Sequence, residues 1–328
     1  MFSRRAFCTG LGASLAAPTL LHAQTDLIET LRETASNLNQ LRTILVQRGD
    51  QTLLAEAFRG ADVDRVANIK SCSKSVLALL LGSAIQRNEI SGLDARLIDV
   101  APDLLPPDAT EGAADLTMAD LVTLRGGLQS TSGPNYGEWV SSRNWVAYAL
   151  RQPRVSANGD RMIYSTGTTH VLGAALAVAT GKSLLQLARE RIGEDLEIEV
   201  PPWTRDPQGW YFGGNEMALT PNAMLRLAVV MRDGGRYSGR QIIAQDWVGA
   251  SIQPQTASPF SGLGYGYGWF LSATGWILAR GYGGQIIAAH SGRSLAVAIT
   301  SDPTQPARSG GYFGDLMRLL DGPVAALA

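Results

Sequence analysis

Ser71-Cys72-Ser73-Lys74 runs straight into Ser75-Val76-Leu77-Ala78-Leu79-Leu80-Leu81-Gly82. A serine and a lysine three residues apart at the head of a helix lie on one face, so the amine can reach the hydroxyl. The run behind them is apolar all round, which predicts a helix buried through the middle of the molecule. A lysine held there loses hydration and sits beside the positive end of the helix dipole, and both effects lower its pKa. Moving it from about 10.4 to near 7 costs roughly 4 to 5 kcal/mol of differential solvation. A neutral lysine beside a serine is a base beside a nucleophile. The same four residues would also serve as a serine cap with a solvated lysine in the first turn.

The 328 residues are 45% hydrophobic and 17% charged with a net charge of -1, an ordinary globular composition for one large domain or two small ones. With no basic surplus, a nucleic-acid partner is not expected. Ser3-Arg4-Arg5-Ala6-Phe7 resembles a twin-arginine export motif, and an uncharged run from Cys8 to Leu21 follows it. Residues 1–23 are therefore expected to be a signal peptide, cleaved near Ala23, and the mature protein to act in a bacterial periplasm. That run is too short for a membrane span, and no other is long and charge-free enough. After cleavage only Cys72 remains, so no intrachain disulfide is expected, and Cys72 reads as a buried thiol.

Outward from the central helix, periodicity predicts a helix over residues 26–41 and a hairpin over 42–58 turning at Arg48-Gly49-Asp50. Downstream, Leu116–Leu124 reads as a helix capped near Thr117, and Tyr164–Thr180 as a turn and a helix ended by Gly181. Residues 221–232 and 246–252 read as two more helices and 312–320 as the last. Gly264 to Leu271 alternates glycine and aromatics and is expected to be a strand under a ligand or a close-packed partner. Ile277–Ala289 and Ser294–Ser301 are expected to be two strands joined at His290-Ser291-Gly292. Strands at both ends with helices between them give an α+β class. The expected division is 24–84 with 205–328 for the sheet-bearing part, 85–204 for a mostly helical insertion, and an active site between them.

Three separated segments then fall into a known order. Ser71-Cys72-Ser73-Lys74 resembles the S-x-x-K of the penicillin-recognising serine hydrolases, Tyr164-Ser165-Thr166-Gly167 resembles their Y-x-N or Y-S-x element, and Arg280-Gly281-Tyr282-Gly283-Gly284-Gln285 resembles their K-T-G or H-x-G strand. Leu121–Leu128 and Gly264–Phe270 resemble further phrases of that superfamily. The similar branch is the class C β-lactamase-like group, with its esterases, D-amino-acid peptidases and 6-aminohexanoate-dimer hydrolases. The resemblance implies the β-lactamase/transpeptidase-like fold: an antiparallel sheet from both chain ends, flanking helices and a helical subdomain.

It also implies an acyl-enzyme. Ser71 would attack a carbonyl, Lys74 would accept its proton, and Tyr164, made more acidic than a free phenol by the nearby ammonium, would relay protons. The backbone N–H groups of Ser71 and Gln285 would form the oxyanion hole. Thr166, Arg280, Tyr282, Gly283 and Gly284 are the expected substrate-binding residues, the two glycines because they let backbone approach a ligand. The sequence departs from the pattern at Thr166, where the family has Asn, and at Tyr282, where it has Lys or His. Arg280, two residues earlier and on the same strand face, could replace that cation. Short esters, small amides or short peptides are therefore expected as substrates ahead of β-lactams. The alternatives are a relative that binds peptidoglycan-type or peptide fragments without turnover, and one that transfers the acyl group.

No metal or other cofactor is expected: only His170 and His290 remain after cleavage, with no cysteine or carboxylate cluster beside them. His170, within a helix, reads as a packed or capping residue, and His290 as part of a hairpin turn. Trp139, Trp145, Trp210 and Trp269 could line a pocket or pack the core.

Overall fold

The computed structural model describes residues 16–328, with side chains from Gln24 onward. The arginine pair and Cys8 lie outside the described residues. The first helix, α1 (Ala16–Ser36), extends on both sides of the expected cleavage point and stops short of residue 41, because Leu41 already opens a strand.

The sheet comprises β1 (Leu41–Arg48), β2 (Gln51–Ala57), β3 (Thr256–Ala257), β4 (Gly264–Tyr265), β5 (Phe270–Leu271), β6 (Ile277–Gly281), β7 (Gln285–His290) and β8 (Leu295–Ser301). Its order is β2-β1-β8-β7-β6-β5-β4-β3, with neighbours antiparallel, so the first hairpin completes a sheet built by the end of the chain. The central strands are buried on both faces. Ile44, Val46, Ile286, Ala288, Val297 and Ile299 point into one core with Leu31 of α1. Their alternates Leu45, Ile287, Ala289, Ala296 and Ala298 point into the other. That second face is largely alanine, which lets α4 below lie close against it.

Four further helices matter here: α2 (Ser73–Gln86), α3 (Thr166–Thr180), α4 (Pro221–Arg232) and α5 (Tyr312–Leu319). In α2 every residue from Ser73 to Ala84 is buried, as a helix apolar on all faces requires. Gly181, with φ +64°, ends α3, and Thr117 caps the short helix Met118–Val122 in a reciprocal pair with Asp120. Among the described residues no single helix is long and apolar enough to cross a membrane.

Two strand expectations are corrected. Residues 277–289 form two strands, β6 and β7, turning at Tyr282-Gly283-Gly284. Gly283 and Gly284 have φ of +81° and +93°, which L side chains rarely adopt. Residues 264–271 are likewise a tight hairpin, β4–β5, with Gly268 at φ +78°. A Cβ on Gly268 would stand 2.6 Å from the Ala78 Cβ and 3.1 Å from the Lys74 carbonyl oxygen. Here glycine serves a close-packed partner, α2, and seals the turn that carries Lys74.

Gly268→Ala combines left-handed strain with overpacking against α2 and is expected to cost about 2 to 4 kcal/mol. Gly49→Ala, at φ +53° with nothing within 4 Å of its added Cβ, is expected to cost only about 1 kcal/mol. Urea midpoints of the two variants measure the difference, and equal losses would remove the contact with α2 from the account.

Candidate active site

Ser71 lies in a 3-10 turn, Lys70–Cys72, just ahead of α2. Lys70 takes φ +49°, a strained conformation for a residue with a Cβ. Side-chain contacts hold it: its N–H donates to Asn68 Oδ1 at 2.9 Å, and its Nζ lies 3.0 Å from Glu216 Oε1. Glu216, itself at φ +63°, also accepts from Asn68 Nδ2 at 2.6 Å. The strand β6 presses on the same turn, since a Cβ on Gly281 would stand 2.3 Å from the Ile69 carbonyl oxygen. Only glycine allows that approach.

Lys74 is 4% exposed. Its Nζ donates to the Gly214 carbonyl at 2.8 Å and lies 3.1 Å from Ser71 Oγ and 3.3 Å from Thr166 Oγ1. Among the described residues its only hydrogen-bond partners are these neutral oxygens, and burial lowers its pKa from the usual 10.5 to about 7. A neutral amine 3.1 Å from a hydroxyl can take that hydroxyl's proton.

Tyr164 lines the cleft with Ser71, and its ring centroid lies 5.1 Å from Lys74 Nζ. The expectation of an acidic phenol is reversed. Burial raises the Tyr164 pKa, and the nearby Ser71 hydroxyl and Arg280 charge only moderate the rise. With its pKa near 7, Lys74 is about half uncharged at neutral pH, which weakens the cation invoked for an acidic phenol. Cys72 is a buried thiol whose Sγ donates to the Gln285 carbonyl at 3.4 Å, and burial pushes its pKa well up.

A hydroxyl run from the loop ahead of α3 sets Tyr164 and Thr166 in place. Ser130 Oγ donates to the Tyr164 carbonyl at 2.5 Å, Thr131 Oγ1 accepts from Gly167 N–H at 2.8 Å, and Ser132 Oγ accepts from Thr166 N–H at 2.8 Å. Two of the helix's free N-terminal donors are thus satisfied from outside. Ser132 Oγ also lies 2.9 Å from Thr166 Oγ1, which extends the Lys74 network to the cleft wall.

The cleft holds about 530 Å³. Ser71, Tyr164, Thr166, Arg280 and Tyr282 line it together, and so do Lys70, Ser132, Tyr136, Asn215, Glu216, Phe260 and Phe270, which sequence reasoning did not select. The Ser130-Thr131-Ser132 run and the Gly213-Gly214-Asn215 turn were the available signals. Gly283, Gly284 and Gln285 do not line it. Gly283 packs on the Asp302 backbone and Gly284 on the Tyr312 ring. Gln285 is 1% exposed, paired with Gly281 across the hairpin, with its amide bound to Ser301. Tyr282 is in the turn and 53% exposed, so it does not share a strand face with Arg280. Trp139 and Trp145 pack with Phe212 in a separate aromatic cluster, and Trp269 is core.

Arg280 is the distinctive charge of the cleft. Its guanidinium stacks 3.2 Å from the Phe313 ring centroid and 5.3 Å from that of Phe270. Its one hydrogen bond among the described side chains is a long contact of 3.5 Å to Ser309 Oγ, and no carboxylate pairs with it. Burial lowers its pKa to about 10, so it stays cationic at neutral pH. Lys70 and Glu216 cancel, which leaves the cleft with a net positive charge.

The Beta-lactamase family profile matches residues 36–320. The chain belongs to the Beta-lactamase family. Similar solved structures of this fold include one classed as a 6-aminohexanoate-dimer hydrolase from Bacillus anthracis, at TM-score 0.76 and 16% identity, covering 91% of this chain and 81% of that one. EstCE1, a hydrolase with promiscuous acyltransferase activity, aligns at TM-score 0.74 and 16% identity, covering 93% and 100%. A penicillin-binding protein homologue from Caulobacter crescentus aligns at 0.73 and 17%, covering 92% and 98%. A comparison with curated protein sequences finds no significant match. Among the described residues no group of three or more His, Cys, Asp or Glu could hold a metal ion.

The Lys74 shift makes a stability prediction for this Beta-lactamase family member. The folded state holds the lysine proton less tightly than the unfolded state does, so the unfolded chain binds more protons between about pH 7 and 10.5. Lys74 therefore destabilises the fold fully below pH 7, by roughly 5 kcal/mol, and the penalty fades steadily as pH rises from about 7 to 10.5. Lys74→Met is expected to be more stable than the native protein at pH 6, with the gap closing by pH 10. Melting temperatures across that range check it, and a gap independent of pH would contradict a buried neutral lysine.

Proposed function

We propose that this protein is an exported serine hydrolase that cleaves an ester or amide bond through an acyl-enzyme on Ser71. The observation that carries the reading is the buried Lys74 amine, with a pKa near 7, 3.1 Å from Ser71 Oγ. Export rests on the Arg4-Arg5 pair and the uncharged run behind it.

The amine donates one N–H to Gly214 and one to Thr166, whose hydroxyl donates on to Ser132. Its lone pair is then free for the Ser71 proton. Ser71 Oγ attacks the substrate carbonyl carbon, and its proton passes to Lys74. Tyr164 enters as a neutral phenol in the same cleft as Ser71 and donates its proton to the leaving oxygen or nitrogen, regaining one from the Lys74 ammonium. Water then attacks the acyl-enzyme by the reverse transfers. Of the two oxyanion donors, Ser71 N–H is retained. The second passes from Gln285, inside the sheet, to the N–H of Tyr282, the first residue beyond the β6 end that presses on the Ser71 turn.

A fluorophosphonate probe is expected to label the native protein on Ser71 and to leave Ser71→Ala unlabelled. Labelling and p-nitrophenyl ester turnover should share an acid limb near pH 7, as Lys74 gives up its proton. Full activity below pH 5, or a label on another serine, would contradict the assignment.

Arg280 narrows the substrate class to molecules with a carboxylate a few bonds from the scissile carbonyl. The native protein is expected to favour mono-p-nitrophenyl glutarate over p-nitrophenyl butyrate, and butyrate over nitrocefin. Arg280→Ala should lower the glutarate-to-butyrate ratio of kcat/KM by about 10- to 100-fold, the scale of one charge-assisted contact. An unchanged ratio would remove Arg280 from substrate recognition.

A further inference from the structure

One buried polar pair has no part in the proton transfers above. His170 and Asp206 are both fully shielded from solvent, and neither lines the cleft. His170 Nε2 lies 3.0 Å from Asp206 Oδ2, and His170 Nδ1 accepts from the Gly213 N–H at 3.2 Å. A backbone N–H can only donate, so Nδ1 must be bare and the ring proton must sit on Nε2, facing the carboxylate. Asp206 is fixed in turn, because its Oδ1 accepts from the N–H groups of Gln208 at 2.9 Å and Trp210 at 2.8 Å. Trp139, Trp145 and Phe212 wall the imidazole, with centroids 5.9, 5.5 and 5.7 Å away.

Gly213 leads directly into Gly214, the carbonyl that Lys74 donates to. This glycine pair is wedged between α3 and the lysine stem. A Cβ on Gly213 would stand 2.6 Å from the Thr169 carbonyl oxygen, and one on Gly214 would stand 2.9 Å from Lys74 Cγ. The peptide therefore has a single seat, and the His170 hydrogen bond ties it to α3.

We propose that Asp206 and His170 are positioning residues that hold the Gly213-Gly214 peptide so that the Gly214 carbonyl commits one N–H of Lys74 and aims the amine lone pair at Ser71. This rests on the Ser71–Lys74 reading given above. A neutral amine has two N–H groups and one lone pair, so the lone pair is directed only when the N–H groups have fixed acceptors. Thr166 is a hydroxyl and can turn either way. Gly214 O can only accept. The same carbonyl receives the ammonium formed when Ser71 gives up its proton, a contact that strengthens as charge develops.

Asp206→Asn tests this with a change of one atom. Oδ1 stays with its two backbone donors, so the new NH2 faces His170 Nε2. The imidazole must then carry its proton on Nδ1, against the Gly213 N–H. His170→Phe, which keeps an aromatic ring and deletes both hydrogen bonds, is the second variant. Both are expected to lower kcat by about tenfold or more with KM within about twofold, the scale of one charge-assisted hydrogen bond lost in the transition state. Both should also move the acid limb of kcat/KM and of fluorophosphonate labelling to lower pH, because the Lys74 ammonium loses an acceptor. The other titratable groups against Lys74 are Cys72, on its own turn, and Tyr164; burial raises both, so they stay neutral there. Arg280 stays charged through that range, and Lys70 remains paired with Glu216. On the native protein, a 15N spectrum of histidine-labelled chain is expected to show neutral His170 protonated on Nε2. Protonation on Nδ1, or an imidazolium, overturns the proposal even if neither variant folds. Variants that lose thermal stability but keep the native kcat and acid limb overturn it too, and reduce the pair to packing. Native protein that the probe does not label overturns the Ser71 reading first and this proposal with it.

Discussion

An amine in a place where water cannot reach is the constraint behind most of this structure. A lysine shifted from 10.5 to about 7 makes the fold bear a penalty of roughly 5 kcal/mol at and below neutral pH. That is comparable to the net stability of many domains. Only a large shared core can carry it, and α2 lies inside one, buried from Ser73 to Ala84. The backbone around the lysine is brought in by glycine on two sides, with Gly268 over its turn and Gly214 against its stem. Any side chain at either place would open a gap and let the ammonium be solvated. The dryness that lowers the Lys74 pKa is thus set by backbone contact distances.

The same dryness decides the state of Tyr164. A tyrosine beside a lysine is read by reflex as a phenolate beside an ammonium. Here burial acts on both groups toward neutrality, the amine downward and the phenol upward. In the reading proposed above, the uncharged form of the pair is the reactive one, and charge appears in it when Ser71 gives up its proton. The hydroxyls of Thr166 and Ser132 and the Gly214 carbonyl can then follow the proton by reorienting or by receiving the new charge, with no ion pair to break first.

The sequence was most readable where burial sets a simple period. The all-apolar run behind Ser71, the hairpin at Gly49-Asp50 and the Thr117 cap are local patterns with local causes, and they appear where expected. It was least readable at the third segment. Ile277 to Ala289 opens and closes on apolar strand residues, and Arg280, Tyr282 and Gln285 between them alternate with Gly281 and Gly283 as a strand's residues would. Only Gly283-Gly284 marks the reversal at 282–284, and a glycine pair serves a left-handed turn as well as a ligand's approach. Mistaking the turn for strand put Gly283, Gly284 and Gln285 in a cleft they do not line and put Tyr282 on the wrong surface. The Ser130–Ser132 run and the Lys70–Glu216 contact were missed for another reason: their partners lie 34 to 146 residues away, and no local period records such a pairing.

The position of Arg280 explains why the missing lysine of the third segment need not leave the cleft without a cation. A lysine at Tyr282 would stand on an exposed turn, where water screens its charge. Arg280 instead comes from within β6, its planar group laid on Phe313 with Phe270 beside it. Stacking holds the guanidinium without using its N–H donors, and it has no carboxylate partner among the described residues. A charge already partly desolvated by the fold gives up less hydration when an anion arrives. An exposed lysine would surrender most of its hydration at that moment. Moving the cation two residues back therefore changes it from a screened surface charge into a preorganised, directional one that lines the same cleft as Ser71.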